Sequence, residues 1–278
     1  MRADETILFS DLDGTLFDSR GRISRENRAA IERYMAAGGR FAFSTGRAPV
    51  NAKRFLGGLP TNAPSVVYNG AGVYDFSDGT YQFLLHLDKG EVFPILRWAL
   101  ENIPGLDLQI YTDDEILYCT PEAAAQKDFL EIHRPVRFVT LDELTAADAP
   151  VVKSLLLSEE SLLPRMGEYL EPRAAGRYDL TLGTVMLGGN YLRYYEAMPP
   201  GATKGSALHA LRSHPSTAGR TILAAGDYWN DFDLLREADV PVCPANAIDE
   251  IKALCRFVTV SNDESAIAKI IDEVIPSL

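Results

Sequence analysis

The sequence predicts an α/β protein, a doubly wound parallel sheet interrupted once by an α+β insertion. Three observations carry that expectation. Short apolar runs alternate with helical patterns from residue 6 to residue 83, and the same rhythm resumes after residue 190. Between them, hairpin and helix signals replace the alternation. The expected organisation is therefore a core made of residues 1–83 and 191–278 around an inserted domain of residues 84–190. A length of 278 residues suits about two domains.

Thr6–Ser10 (TILFS) is a short apolar run, the pattern of a buried strand. Ser24 precedes Arg25–Ala37, where Ile31, Tyr34 and Met35 share a helical face. Ser24 is the expected N-cap, and Gly38-Gly39 the stop. Arg40–Ser44 is the second strand, Pro49–Leu56 the second helix and Ser65–Tyr68 the third strand. Inside the insertion, Glu91–Asn102 predicts a helix, and LDLQIYT and EILYCT flank Asp113-Asp114 as a hairpin. A helix starting at Pro121, a strand over Val152–Leu157, a helix near Leu162–Leu170 and strands at Asp179–Thr184 and Tyr191–Glu196 follow. Beyond the insertion come a helix (Lys204–Ser213), a strand (Thr221–Ala225), a helix (Asn230–Ala238) and a short strand at Val240-Pro241-Val242. A helix (Ala247–Leu254), a strand (Phe257–Val260) and a final amphipathic helix (Glu264–Ile275) capped by Asp263 complete the chain.

Composition narrows the function classes. Hydrophobic residues at 46% and charged residues at 24% exclude a collagenous or disordered chain. Lys and Arg number 27 against 39 Asp and Glu, a formal net charge of −12. That excludes nonspecific nucleic-acid binding, which needs a cationic field, and leaves room for a small anionic substrate. Cys119, Cys243 and Cys255 are widely spaced without a C-x-x-C, so a reducing compartment is expected and a disulfide framework is not. No apolar run approaches the roughly 18 residues of a membrane span, and the N-terminus leaves no room for a signal peptide. A cytoplasmic protein with no membrane partner, a monomer or small homo-oligomer, is the expectation.

In open parallel sheets, ligands bind beyond the carboxyl ends of the strands. Those ends read Asp11-Leu12-Asp13-Gly14-Thr15, Ser44-Thr45-Gly46-Arg47, Asn69-Gly70-Ala71 and Gly226-Asp227, with Asn230-Asp231 close behind. Singly, each is most often a turn. Together they bring four carboxylates to one sheet edge, where like charges need a cation or a shared proton. Oxygen ligands select Mg²⁺ over zinc, and the four histidines, His86, His133, His209 and His214, are scattered. Asp11, rigidly held at a strand end, suits a nucleophile, and Asp13 a proton donor to a leaving oxygen. Lys204 begins a helix after Pro199-Pro200-Gly201-Ala202-Thr203, so both its charge and the helix terminus favour a phosphoryl group. Thr45 and the Gly46 amide are further donors.

Other features are weighed against plainer readings. Arg47 reads equally as a substrate contact or a surface arginine at a helix start. Tyr191–Tyr195 reads better as a strand packed on a helix than as a sugar platform, and Asp113-Asp114 better as a turn than as a metal site. Trp98 is expected in the core and Trp229 near the mouth of the site.

Asp11-Leu12-Asp13-Gly14-Thr15-Leu16, Thr45-Gly46-Arg47, Gly201-Ala202-Thr203-Lys204-Gly205 and Gly226-Asp227-x-x-Asn230-Asp231 resemble, in order and spacing, the four motifs of the haloacid dehalogenase-like hydrolase superfamily. The likeness is greatest to its Cof-type (subfamily IIB) phosphatases, and Asn69-Gly70-Ala71 and Asn246-Ala247 share in it. The resemblance implies a Rossmann-like core with an inserted α+β cap of the C2 type that closes over the substrate. It implies Asp11 as nucleophile, Asp13 as general acid and then base, Thr45 as a phosphoryl ligand and Lys204 as the neutralising cation. Gly46, Arg47 and Asn69 would bind substrate. Mg²⁺ would be held by Asp11, Asp227 and the Asp13 main-chain carbonyl, with Asn230 and Asp231 behind them. Two departures stand out. Pro244-Ala245 precedes Asn246-Ala247 where Met-Gly is usual, and Ser265 follows Asn262-Asp263-Glu264 where glycine is usual.

The implied activity is Mg²⁺-dependent hydrolysis of small phosphorylated metabolites, sugar phosphates or phosphorylated cofactors, through an aspartyl-phosphate. A phosphomutase of the phosphomannomutase kind and a non-catalytic phospho-ligand sensor are the alternatives.

Overall fold

A computed structural model describes residues 1–114, 116–121, 135–146, 149–187 and 190–278. The helix expected from Pro121 onward and His133 lie outside the described residues. The chain forms two compact units, Met1–Leu84 with Thr203–Leu278, and Leu85–Ala202.

The first unit begins with β1 (Thr6–Ser10), α1 (Arg25–Ala36), β2 (Arg40–Phe43) and α2 (Pro49–Leu56). Ser24 caps α1 by accepting from Asn27 N at 3.1 Å. Asn27 is itself buried; its amide donates to Leu16 O and accepts from Ala268 N, tying α1 to the loop after β1 and to the C-terminal helix. The third expected strand, β3 (Ser65–Val67), is not a full member of the core sheet. It meets the β2 edge through a single bridge, Ser44 to Val66, and pairs antiparallel with β4 (Gly72–Asp75), which pairs with β5 (Thr80–Leu84). This hairpin, closed through Gly79 at positive φ, occupies the remaining edge of β3.

The second unit contains α3 (Lys89–Asn102), β6 (Asp107–Thr112), β7 (Leu117–Cys119), β8 (Val136–Phe138) and α4 (Leu141–Ala146). β9 (Val151–Ser158), α5 (Leu163–Ala174), β10 (Asp179–Leu187) and β11 (Asn190–Met198) follow. Its sheet runs β10-β11-β9-β6-β7-β8. The insertion therefore extends past the expected boundary at 190. β11 pairs with β10 from Leu187–Asn190 to Asp179–Met198 and also with β9, so the ladder keeps the chain in this unit until Ala202. Asp113-Asp114 is a turn: Asp114 accepts from Ile116 N at 3.0 Å and Tyr118 OH at 2.7 Å. Tyr195 packs toward α5, donating to Glu171 at 2.9 Å. Trp98, expected in the core, is 36% exposed. It lies off the Val92, Leu96, Ala99 and Ile103 stripe of α3 and stacks on Tyr169 instead.

The first unit then resumes with α6 (Lys204–Leu211), β12 (Thr221–Ala225), α7 (Phe232–Glu237), β13 (Val240–Cys243), α8 (Asp249–Leu254) and β14 (Phe257–Val258). The parallel sheet runs β14-β13-β12-β1-β2, with β1 between β12 and β2. Leu8, Phe41, Phe43, Leu223 and Val242 pack on one face with α1 and the C-terminal helix. Ile7, Phe9, Ala42, Ile222 and Ala224 pack on the other with α6 and α7. Each such Leu, Ile or Phe contributes about 1.5–3 kcal/mol by leaving water, which explains why β1 and β12 read as unbroken apolar runs. The C-terminal helix starts with α9 (Ala266–Lys269) rather than at Glu264. Asp263 is not its cap: Ser261 caps a preceding turn, and Asp263 accepts from Ser19 N at 2.7 Å. Among the described residues no helix is long and apolar enough to cross a membrane.

Candidate active site

Because β1, β2 and β12 are parallel, their carboxyl ends share one edge. Asp11 N donates to Ala225 O at 2.9 Å, continuing the β1–β12 ladder by one residue and burying the Asp11 side chain. The chain then turns sharply at Gly14, φ +77°. A Cβ there would lie 2.4 Å from Asp227 Oδ2, so the turn demands glycine twice over. Thr15 Oγ1 donates to Asp227 Oδ1 at 3.0 Å, and Asn246 Nδ2 donates to Gly14 O at 2.8 Å. Asn262 N in turn donates to Asn246 Oδ1 at 2.9 Å.

At the end of β2, Thr45 N donates to Val66 O and Asn69 N to Thr45 O, at 2.9 and 3.0 Å. Thr45 Oγ1 accepts from Arg47 N at 3.2 Å, which leaves its own proton to give elsewhere. The Asn69 side chain sits against Gly46, where a Cβ would fall 2.7 Å from Asn69 Oδ1. Gly70 approaches Thr203 so closely that a Cβ would lie 2.0 Å from Thr203 O. That contact seats the start of α6, where Thr203 and Ser206 form a reciprocal capping box at 3.0 Å in each direction.

Lys204, the first residue of α6, sends Nζ to Asp11 Oδ1 at 2.7 Å and Asp231 Oδ1 at 2.6 Å. The other Asp231 oxygen accepts from Asp227 N and Tyr228 N at 3.0 and 3.3 Å. Burial works against the Lys204 charge, yet Asp11 and Asp231 raise its pKa above the ordinary lysine range. Burial, then the Asp231 charge, pushes the Asp11 carboxyl well up, with Lys204 acting in the opposite sense. Burial and Asp231 likewise raise Asp227, to about 6.

The structure thus gathers Asp11, Lys204, Asp227 and Asp231, and the Asp11, Asp227 and Asp231 carboxylates can place oxygens within 4.8 Å of one another. These are hard oxygen donors, and one lysine does not balance three carboxylates, two buried and one half-buried, so the residues fit a hard divalent cation such as Mg²⁺. Asp231 is committed to Lys204 and to main-chain amides, which leaves Asp11 and Asp227 as the side chains able to hold it. Asp13 stands apart from this cluster, paired with Arg47. Asn230 Nδ2 reaches Asn69 Oδ1 at 3.4 Å, and Trp229 is exposed. Sequence reasoning assigned no role to Thr15 or Asn246. Thr15 stands inside the Asp-x-Asp-Gly-Thr run, so its position in that motif was the available signal. For Asn246 the signal was the Asn246-Ala247 segment, which shares in the resemblance.

The site lies at the carboxyl edge of a parallel α/β core, and comparison with known proteins identifies the class as a hydrolase of phosphoric monoesters. Residues 8–271 match the model of the haloacid dehalogenase-like hydrolase family, and the chain belongs to that family. It is 27% identical to the 5-amino-6-(5-phospho-D-ribitylamino)uracil phosphatase YwtE of Bacillus subtilis, covering 95% of this chain and 96% of that one. It is also 27% identical to phosphatase YwpJ of the same organism, over 93% and 95% of the two chains. A haloacid dehalogenase-like hydrolase from Bacteroides thetaiotaomicron shares the fold at a TM-score of 0.82 and 24% identity, over 97% of this chain and 99% of the other. The subclass IIB sugar phosphatase BT4131 shares it at a TM-score of 0.75 and 19% identity, over 97% and 98%.

Proposed function

We propose that the protein hydrolyses small phosphorylated metabolites, sugar phosphates or phosphorylated cofactors, with Mg²⁺ and through an aspartyl-phosphate on Asp11. The observation that carries this reading is the Asp11–Lys204–Asp231 arrangement at the end of β1, with Asp227 beside it. Lys204 anchors one Asp11 oxygen, and strand pairing fixes its backbone, so the nucleophile is placed before substrate arrives. An Asp11 oxygen bonds to phosphorus as the bond to the leaving oxygen breaks, and Asp13 gives that oxygen its proton. Asp13 then takes a proton from water, which attacks phosphorus and releases inorganic phosphate and free Asp11. The Thr45 hydroxyl donates to the phosphoryl oxygens, with Gly46 and Asn69 beside it, and Lys204 neutralises charge on the transferred group. Mg²⁺, held by the Asp11 and Asp227 carboxylates and the Asp13 carbonyl, would supply the remaining positive charge. Asp231 braces Lys204, and Asn230 braces Asn69. A reducing, cytoplasmic setting accords with three free cysteines.

The test is phosphate release from a panel of sugar phosphates and phosphorylated cofactors, with and without Mg²⁺. The compound named for the YwtE relative belongs in that panel. Activity that needs Mg²⁺ and disappears in Asp11→Asn is the expected result; retention in that variant overturns the nucleophile assignment. Isomerised hexose phosphate in place of inorganic phosphate would instead identify a mutase, and binding without turnover a sensor.

A further inference from the structure

The geometry points to Arg47 as a positioning residue that aims the Asp13 carboxylate, in place of the substrate-binding role its motif suggested. This rests on the phosphatase reading above. Arg47 Nη2 donates to Asp13 Oδ1 at 2.6 Å and Nε to Oδ2 at 2.8 Å. Two parallel bonds fix both the place and the rotation of a carboxylate, which a single bond does not. The guanidinium is held in turn. Its carbon lies 4.3 Å from the Phe55 ring centroid and 5.8 Å from that of Phe17, and Phe17 is anchored in the core. The Arg47 main chain is fixed at both ends, N donating to Thr45 Oγ1 and O accepting from Tyr68 N.

Asp13 needs such support. Its side chain is 58% exposed, and it precedes Gly14, the most permissive residue of the loop. Among the described residues, no buried cation bonds it as Lys204 bonds Asp11. A general acid works only with its oxygen in hydrogen-bond reach of the leaving atom, so a freely rotating Asp13 would present the proton in few of its rotamers. Arg47 is also poorly suited to attract a phosphoryl dianion. Its Nε and Nη2 donors are already taken up by Asp13, so fewer are left to offer a phosphoryl group.

The experiment is steady-state kinetics with Mg²⁺ on aryl phosphates of increasing leaving-group basicity, from p-nitrophenyl to phenyl phosphate. The variants are Arg47→Gln, Arg47→Lys and Asp13→Asn, each checked for folding by circular dichroism and Tm. A nitrophenolate leaves without a proton, whereas phenolate needs one. If Arg47 aims Asp13, Arg47→Gln lowers kcat/KM, which reports only the steps up to loss of the phenol, by about tenfold or more on phenyl phosphate and by less than about threefold on p-nitrophenyl phosphate. Arg47→Lys recovers part of the loss, and Asp13→Asn shows the same dependence more steeply. A rise in KM with unchanged kcat on both substrates would make Arg47 a substrate ligand and overturn the inference. So would a loss in Arg47→Gln that is equal on both substrates while Asp13→Asn still discriminates, an outcome that leaves the phosphatase mechanism standing. An equal loss in Asp13→Asn as well would remove the acid role from Asp13 and take the inference with it. Should Arg47→Gln fail to fold, the same comparison is decided on Arg47→Lys.

Discussion

Lys204 Nζ and Asp231 Oδ1 lie 2.6 Å apart with both side chains wholly buried, and the same ammonium also holds Asp11. Two carboxylates thus share one cation inside the fold. Asp231→Ala leaves Lys204 paired with Asp11 but orphans Asp227 N and Tyr228 N, and is expected to lose about 1–3 kcal/mol in urea unfolding. Asp231→Asn keeps an acceptor for those amides and should lose less. Both should lower activity by displacing Lys204, which a phosphate-release assay reads directly.

The raised Asp227 carboxyl has consequences for pH. Its folded value of about 6 exceeds its ordinary value of 3.8, so the fold holds this proton where the unfolded chain has lost it. The contribution of Asp227 to stability is therefore fully present below pH 3.8 and is lost as pH rises through about 6. Metal and proton compete for the same oxygens, so Mg²⁺ affinity should rise toward about pH 6 and then level off. Thermal unfolding at about pH 5 and about pH 7.5, with and without Mg²⁺, checks both statements. A larger Mg²⁺-induced rise in Tm at the higher pH is the expected result.

Gly14→Ala should disable the site while leaving the fold recognisable. The substitution meets a positive φ and an Asp227 oxygen 2.4 Å from the new carbon, so either the loop or Asp227 must move. A loss of about 1–2 kcal/mol in stability, with a much larger loss of Mg²⁺ affinity measured by calorimetry, is expected.

Ser265 adopts φ +67°, ψ +52°, the left-handed region that favours glycine. Its hydroxyl lies 2.8 Å from Ser24 Oγ, the cap of α1. Ser265→Ala keeps the strain and loses the hydrogen bond, for a cost of about 1 kcal/mol. Ser265→Gly relieves the strain as it loses the bond, and should fall within about 0.5 kcal/mol of the parent chain. The two midpoints in guanidinium separate these cases.

Much of the fold was legible because the signals are local. β1, α2 and β12 begin and end where their apolar runs do, and parallel pairing then brings the segments after β1, β2 and β12 to one edge. What escaped was partner choice. An apolar pattern reports how buried a residue is, not which strand covers it, so the β4–β5 hairpin and the membership of β11 were unreadable. The Arg47–Asp13 fork spans 34 residues and the Thr15–Asp227 bond 212. Both depend on side-chain direction, which spacing does not encode. Trp98 misled for a related reason, since a large apolar residue can cover a neighbouring ring as readily as enter the core.

The position of β1 between β2 and β12 also governs how the protein can be made on a ribosome. Asp11 and Lys204 are 193 residues apart in the chain, and β12 is synthesised later still. Until then β1 has a neighbour on one side only, and its other edge is a row of unpaired amides and carbonyls beside apolar side chains. The insertion emerges in between and can complete its own sheet and core during that delay. A chain released before Thr221 would carry Asp11, Thr45 and Lys204 with an open strand beside them. Such a fragment should aggregate instead of showing weak activity, and chaperone dependence should concentrate in that interval of synthesis.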